Sequence, residues 1–202
     1  MILVALLRID LYELANNHVW RTEFGFPAFG DKPGDYMKVE QDLKGFTERG
    51  WIDFSFQNYY ALLNCGFRMR PTAGTASGVH PVPLGFGRVY VHQPERFSYN
   101  GWVQGLDQGN SFVTTGPMLF VNMDGKRAGT SFKTDGGREF HVTGTAVGGV
   151  PLERIEIVVN GEVTRSLKPA NRKNMDGAFE TVIDEKVNLS ESGWLIVRCF
   201  ED

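Results

Sequence analysis

The sequence predicts an α/β part followed by an all-β antiparallel sandwich, and the change between them falls near Gly116-Pro117. Before that point, strand-like runs alternate with helical stretches, which is typical of α/β organisation. After it, six short segments alternate apolar with polar residues or form β-branched runs, and no helical periodicity remains. The 202 residues are enough for one large domain or two small ones.

The α/β part is predicted from hydrophobic periodicity and from helix-ending residues. In its strongest helix, four large apolar side chains fall on one face, and Gly66 follows as a C-cap. Ser98 is expected to cap a later helix that runs through Leu106 and ends at Gly109. The other predicted elements are strands at Leu11 to Leu14, Arg68 to Ala73 and Gly87 to His92, and helices at Asp35 to Arg49 and Asp53 to Cys65.

The second part contains a clear hairpin signal. Asn160-Gly161 separates two strand-like runs, and a type I′ turn needs positive φ at both of its central residues. Six strands at this spacing indicate an antiparallel sandwich. They are predicted at Met118 to Met123, Glu139 to Ala146, Arg154 to Val159, Glu162 to Leu167, Ala178 to Lys186 and Trp194 to Phe200.

Composition narrows the classes of partner. The net charge is −3 and the basic residues are scattered, so nucleic acid is not an expected partner. The apolar run Ile2 to Leu7 is too short for a signal peptide or a membrane span, so no membrane partner is expected and the compartment stays open. Cys65 and Cys199 lie far apart in apolar settings and are interpreted as buried free thiols.

The most informative stretch is Tyr59 to Val91. Metal-dependent phosphoesterases and amidohydrolases often place an Asp and a His just after a core strand, where both can reach the metal. Here His80 is present, but Ala76 follows Gly74-Thr75 and cannot coordinate a cation. The stretch therefore looks like a metal-ligand loop in which one ligand is missing.

Several segments around this loop carry a family resemblance. They are Arg68 to Thr75, His80-Pro81, Gly87 to Val91, Phe97 to Gly109 and Ser111 to Pro117. Together they resemble the C-terminal part of the polymerase-and-histidinol-phosphatase (PHP) metallohydrolases of the CehA/McbA kind. The resemblance implies a distorted (β/α) barrel with a polynuclear metal site, often followed by a β-sandwich, that hydrolyses phosphoesters or carbamate-like esters. The family's early His-x-His motif has no counterpart in this chain.

The expected fold class is therefore a partial (β/α) barrel segment followed by an all-β antiparallel, immunoglobulin-like sandwich. Residues 1–117 would form the C-terminal part of the barrel, and residues 118–202 would form the sandwich domain. In such a barrel, functional groups lie at the carboxyl ends of the strands. The side chains that follow the first strand would then face the same opening as His80.

The candidate metal ligands are His80, His18 and Glu13, and a divalent zinc, manganese or iron ion would be the cofactor. Arg21, Asn17 and Arg88 are the candidates for binding an anionic substrate. The alternatives remain open at this point: His80 would be a hydrogen-bonded structural residue, and Glu13 and Arg21 would be solvated or paired with each other.

Two functions follow from these residues. The first is a remnant of a metal-dependent hydrolase acting on a small phosphoester or carboxyl-derived ester, with a site that is incomplete in this chain. The second is a non-catalytic protein for binding or self-association. A partial barrel would leave strand edges uncovered, so a homo-oligomer that buries Ile2 to Leu7 and Leu11 to Leu14 is expected.

Overall fold

A computed structural model describes residues 9–21, 33–43, 45–78 and 80–201, together with residues 4 and 6. The chain divides into two units, one formed by residues 1–90 and 113–115 and the other by residues 91–112 and 116–202. The predicted domain boundary after residue 117 stays a prediction. Apart from residues 4 and 6, the segment Ile2 to Leu7 lies outside the described residues.

Among the described residues from 9 to 78, the first unit has short strands and two helices. Its elements are β1 (Leu11–Ala15), α1 (Asn17–Trp20), β2 (Gln41–Asp42), β3 (Gly45–Phe46), α2 (Glu48–Asn64) and β4 (Arg70–Ala73). Strands β1 and β4 are parallel, with Leu11 opposite Arg70 and Glu13 opposite Thr72. Strands β2 and β3 form a small antiparallel pair. The next elements are β5 (Arg88–Val91), α3 (Tyr99–Gln108) and β6 (Ser111–Thr114), and β5 pairs with β6. Helix α3 belongs to the second unit, and each of the two strands has residues in both units.

Tyr12 and Tyr59 connect helix α2 to the parallel strands β1 and β4. The Tyr12 ring on β1 packs 5.3 Å from the Tyr59 ring on α2, and the Tyr12 hydroxyl donates to Ser55 O at 3.3 Å. The buried Tyr59 hydroxyl donates to Met69 O at 3.0 Å, just before β4. Burial raises the pKa of Tyr59, so its phenol stays a donor at neutral pH.

The predicted helix from Asp35 to Arg49 is wrong. Met37 N donates to Gly34 O at 2.8 Å and closes a turn, and β2 and β3 follow in place of a helix. Gly45 has a φ of 117°, which does not fit an α-helix. Helix α2 instead begins after Thr47, whose Oγ1 accepts from Gly50 N at 3.0 Å. The N-cap residue, rather than hydrophobic spacing, therefore determines where this helix starts.

The second unit contains two antiparallel sheets. One has the strand order β12-β13-β9-β7-β8 and the other the order β11-β10-β14. Side chains from β9, β10 and β13 form one buried apolar cluster, so the two sheets share a core. The strands are β7 (Met118–Met123), β8 (Lys126–Arg127), β9 (Arg138–Gly148), β10 (Leu152–Val159), β11 (Glu162–Leu167), β12 (Arg172–Lys173), β13 (Phe179–Leu189) and β14 (Leu195–Glu201).

Two local predictions are confirmed at turns and caps. Asn160 and Gly161, between β10 and β11, have φ angles of 52° and 95°, as the type I′ hairpin requires. Ser98 caps α3 by accepting from Gly101 N at 3.0 Å, and Gly109 ends the helix in the left-handed region. Both signals are local in sequence, because the conformation depends on the residue type itself.

The predicted fold class, a (β/α) barrel segment followed by an immunoglobulin-like sandwich, is wrong. The protein is mostly β, with 42% of residues in strands and 18% in helices. Among the described residues the strands form small sheets, and no barrel closes. Only β1 and β4 pair in parallel among the strand pairs whose register is known, and β5 pairs with β6. A sequence pattern of alternating strands and helices predicts the type of each element. It does not predict which strands pair, because strand pairing depends on long-range packing.

We expect the Gly161→Val variant to lose about 1 kcal/mol or more of unfolding free energy, because a β-branched residue is strained at positive φ. Urea unfolding measures the loss. Gly149→Val is the matched control, because Gly149 is exposed, its φ is outside the left-handed region, and a Cβ there meets no atom within 4 Å. Equal stability of the two variants would contradict the turn assignment.

Candidate functional site

The candidate site lies at the carboxyl ends of β1 and β4. Gly74 N donates to Ala15 O at 3.1 Å, which holds the loop after β4 beside the end of β1. Asn16 then caps α1, since its Oδ1 accepts from Asn17 N at 2.7 Å. These contacts place α1 and the loop at residues 74–80 next to each other. Parallel pairing has this effect generally, because the carboxyl ends of both strands are at the same edge.

Asn17 is the central residue of the site. Its Oδ1 accepts from Ala76 N at 3.0 Å, and its Nδ2 donates to Ala76 O at 3.2 Å. The same Nδ2 lies 3.0 Å from His80 Nδ1. Only 4% of Asn17 is exposed, so this buried amide depends on these partners. One side chain thus holds both backbone groups of Ala76 and the imidazole of His80.

These contacts determine the hydrogen-bonding role of His80. Ala76 N–H also has Asn16 Oδ1 as an acceptor at 3.3 Å, whereas Ala76 O takes its donor from Asn17, so the need of this carbonyl for a donor sets the orientation of the Asn17 amide. In that orientation its NH₂ group faces His80, and Nδ1 must accept the hydrogen bond. Neutral His80 therefore carries its proton on Nε2. A proton on Nδ1 would bring two donors face to face.

His18 forms a second part of the site. Its Nε2 lies 3.3 Å from Ser55 Oγ on α2. Burial lowers the pKa of His18 below its usual value, and the Glu13 carboxylate acts in the opposite direction. Because burial prevails, the imidazole is neutral at pH 7. A neutral imidazole next to a hydroxyl group is able to exchange a proton with it.

Glu13 lies against the backbone of the loop after β4. A Cβ at position 74 would lie 2.8 Å from Glu13 Oε1 and 3.8 Å from Asn16 Nδ2. The nearest atom is the end of the exposed, flexible Glu13 side chain, so a small residue at position 74 allows this close approach but glycine is not strictly required. Glu13 is thus near both His18 and the loop that carries His80.

Thr75 ties the other side of the loop to the chain before β5. Its Oγ1 accepts from Gly87 N at 2.9 Å and lies 3.2 Å from Gly87 O. A Cβ at Gly87 would collide with Gly74 O, so glycine is needed for this contact. The roles of Ser55 and Thr75 were missed in the sequence. Their partners are 37 and 12 residues away, and no local pattern indicates them.

The two predicted arginines occupy different surroundings. Arg21 follows α1, is exposed, and its backbone N donates to Asn17 O at 3.1 Å. Arg88 is half-buried on β5, and its Nε is buried without a hydrogen-bond partner among the described residues. Their assignment as substrate-binding residues stays a prediction.

The described residues do not fit a metal centre of the resembled kind. Among them, no three His, Cys, Asp or Glu side chains are grouped closely enough to hold one ion. A metal ligand that binds through Nε2 normally donates its Nδ1–H to an acceptor. At His80, Nδ1 faces a donor instead. The metal-ligand roles of His80, His18 and Glu13 stay predictions.

Comparisons with protein-family models, with curated proteins and with solved structures found no match. In the part of the chain that the structure describes, no helix has both the length and the apolar character needed to cross a membrane.

We expect Asn17→Ala to lower the unfolding free energy by about 1–3 kcal/mol, because it leaves buried polar partners without their hydrogen bonds. Chemical denaturation measures this loss. The matched control is Asn100→Ala, which changes an exposed asparagine in α3. If both variants unfolded at the same denaturant concentration, the Asn17 contacts would not contribute to stability.

We also expect stability to fall as the pH drops below the ordinary histidine pKa of 6.5, partly because of His18. Unfolded His18 takes up a proton there, whereas burial keeps the folded imidazole neutral to lower pH. The His18→Gln variant should therefore lose less stability than the wild type between about pH 7.5 and 5.5. Unfolding curves of both proteins at both pH values test this. An equal loss of stability in the wild type and in His18→Gln would contradict the effect of burial on His18.

Proposed function

We propose that this chain is a remnant of a metal-dependent hydrolase of the PHP kind, in which the former ligand loop serves as a structural loop. On this proposal, the chain alone does not hydrolyse phosphoesters at an enzymatic rate. The proposal concerns the chemistry of the loop and does not include a barrel. The resemblance around residues 68–117 motivates it, and the contacts of Asn17 support it.

The hydrogen-bond polarity at His80 carries the proposal. Asn17 Nδ2 donates to His80 Nδ1, so the proton sits on Nε2 and blocks the lone pair that a cation would need. Binding a metal through Nε2 would move that proton to Nδ1, where it would oppose the Asn17 NH₂ group. Metal binding would therefore cost the Asn17–His80 hydrogen bond, and a buried amide would lose a partner.

Ala76 adds a second argument. Its backbone is held by Asn17 within the same contact network as His80, so a carboxylate at this position would be near the imidazole. The side chain is instead a methyl group, which provides no ligand. Water activation needs a cation held by several ligands with one open position. The described residues supply fewer than three such groups at one place.

A catalytic assay tests the proposal directly. The wild type and the His80→Ala variant are compared on phosphomonoester and phosphodiester substrates with added zinc or manganese. We expect no turnover above the His80→Ala background, because the site lacks a complete ligand set. Robust turnover that His80→Ala abolishes would overturn the proposal.

Replacing the donor that faces His80 Nδ1 with an acceptor tests whether the Asn17 amide disfavours metal binding at His80. Asn17→Asp has nearly the same shape and keeps an acceptor for Ala76 N, but it presents an acceptor to His80 Nδ1 and removes the donor to Ala76 O. That change favours Nδ1–H and frees the Nε2 lone pair, so we expect zinc to bind about tenfold more tightly or better. Calorimetric titration with zinc measures the affinity. The double variant Asn17→Asp/His80→Ala is the control and should lose the gain. No gain in Asn17→Asp would show that Asn17 does not restrain His80.

A further inference from the structure

Strand β1 has one edge that no other described strand covers, and its hydrogen-bonding pattern is defined. Arg70 N donates to Asp10 O at 2.9 Å, and Leu11 lies opposite Arg70 in the parallel register. Backbone groups alternate in direction along a strand, so those of Tyr12 point to β4 and those of Leu11 and Glu13 point away. Both outward residues are exposed, and among the described strands β1 pairs with β4 alone.

The opposite edge of this small sheet is less suitable for pairing. Arg70 N points to β1, so the next residue, Pro71, has its backbone nitrogen on the outward side. Proline has no N–H and cannot donate to a further strand. The edge of β4 is therefore interrupted by Pro71, as natural edge strands often are. β1 has no proline and no lysine, and its outward donors and acceptors are intact.

We propose that a second copy of this chain pairs with β1 in antiparallel orientation across a twofold axis. The outward residues Leu11 and Glu13 are separated by Tyr12 alone, so a twofold axis at Tyr12 brings the outward residues of the two copies opposite each other. Leu11 of one copy would face Glu13 of the other, and the two Tyr12 residues would flank the axis. Each facing pair exchanges two N–H···O bonds, so the interface closes four main-chain hydrogen bonds.

The side chains suit this register. Leu11 is 39% exposed, and pairing would cover part of it. Glu13 would face an apolar residue of the other copy rather than a second Glu13, which avoids directly opposed like charges. Side chains alternate along a strand, so Tyr12 stays on the face where it packs against Tyr59 of α2.

Pairing would also change the character of the sheet. An isolated two-stranded sheet is marginal in water, and parallel pairs usually occur inside larger sheets. Joining two copies gives the strand order β4-β1-β1-β4, with the α2 of each copy packed on its own strands. The two Pro71 residues then lie at the outer edges, so the assembly closes as a dimer rather than extending further.

The test compares Leu11→Pro with Leu11→Ala in the full chain. Leu11 N–H points away from β4, so proline there removes an interface donor while keeping the β1–β4 bonds. We expect a wild-type dimer at tens of micromolar by analytical ultracentrifugation. Leu11→Pro loses two donors per dimer and should raise the dissociation constant by about tenfold or more. Leu11→Ala keeps the donor and should remain dimeric.

Glu13→Pro is a second variant that removes the other outward donor, and circular dichroism establishes that each variant is folded. Hydrogen exchange adds a readout specific to this edge: the Leu11 and Glu13 amides should be protected more strongly at high protein concentration than at low. A monomeric wild type, or a dimer that both proline variants leave unchanged, would overturn the proposal. Protection of these amides that does not depend on concentration would also overturn it. None of these outcomes depends on hydrolytic activity.

Discussion

The buried amide of Asn17 is the contact on which the first unit's loop arrangement depends. It satisfies both backbone groups of Ala76 and also meets His80, so the loop after β4 has a fixed position relative to the end of β1. Buried amides are costly unless their groups are paired, which makes this arrangement specific as well as stabilising. Two further contacts hold the same loop: Gly74 N donates to Ala15 O, and Thr75 Oγ1 accepts from Gly87 N.

The contact between Asn17 and His80 also decides which chemical role His80 can have. A histidine can bind a cation, transfer a proton or hold a loop, and the group that faces its other nitrogen decides among these roles. At His80 that group is a donor, which favours a structural role. His18 is different, because it lies beside the Ser55 hydroxyl and burial keeps it neutral. The two histidines therefore differ in chemistry although both lie at the carboxyl ends of the parallel pair.

Strand β1 links the site to the proposed dimer. Its carboxyl end leads directly into Asn16 and Asn17, and its outward edge carries Leu11 and Glu13. Glu13 contributes to both features, because its carboxylate lies against Gly74 and influences His18, while its backbone points to the edge that no described strand covers. Pairing of β1 with a second copy would restrict the motion of this strand. The position of the loop would then be better defined in the dimer than in the monomer.

The sequence by itself determined the features that depend on single residues and their near neighbours. The hairpin at Asn160-Gly161 and the Ser98 cap were predicted correctly, because positive φ and N-cap hydrogen bonds follow from residue type. The sequence also singled out His80 and the residues after β1 as candidates. The helix at Asp35 to Arg49 was wrong for a local reason, since Gly45 has a φ of 117° and Thr47 caps a helix that begins only at Glu48. The barrel segment was wrong because strand partners are distant in sequence. Tertiary structure alone decided which strands pair, that Asn17 faces His80 across 63 residues, and that His80 Nδ1 meets a donor. Local propensity contains no information on such contacts, because they form only when the chain brings remote groups together.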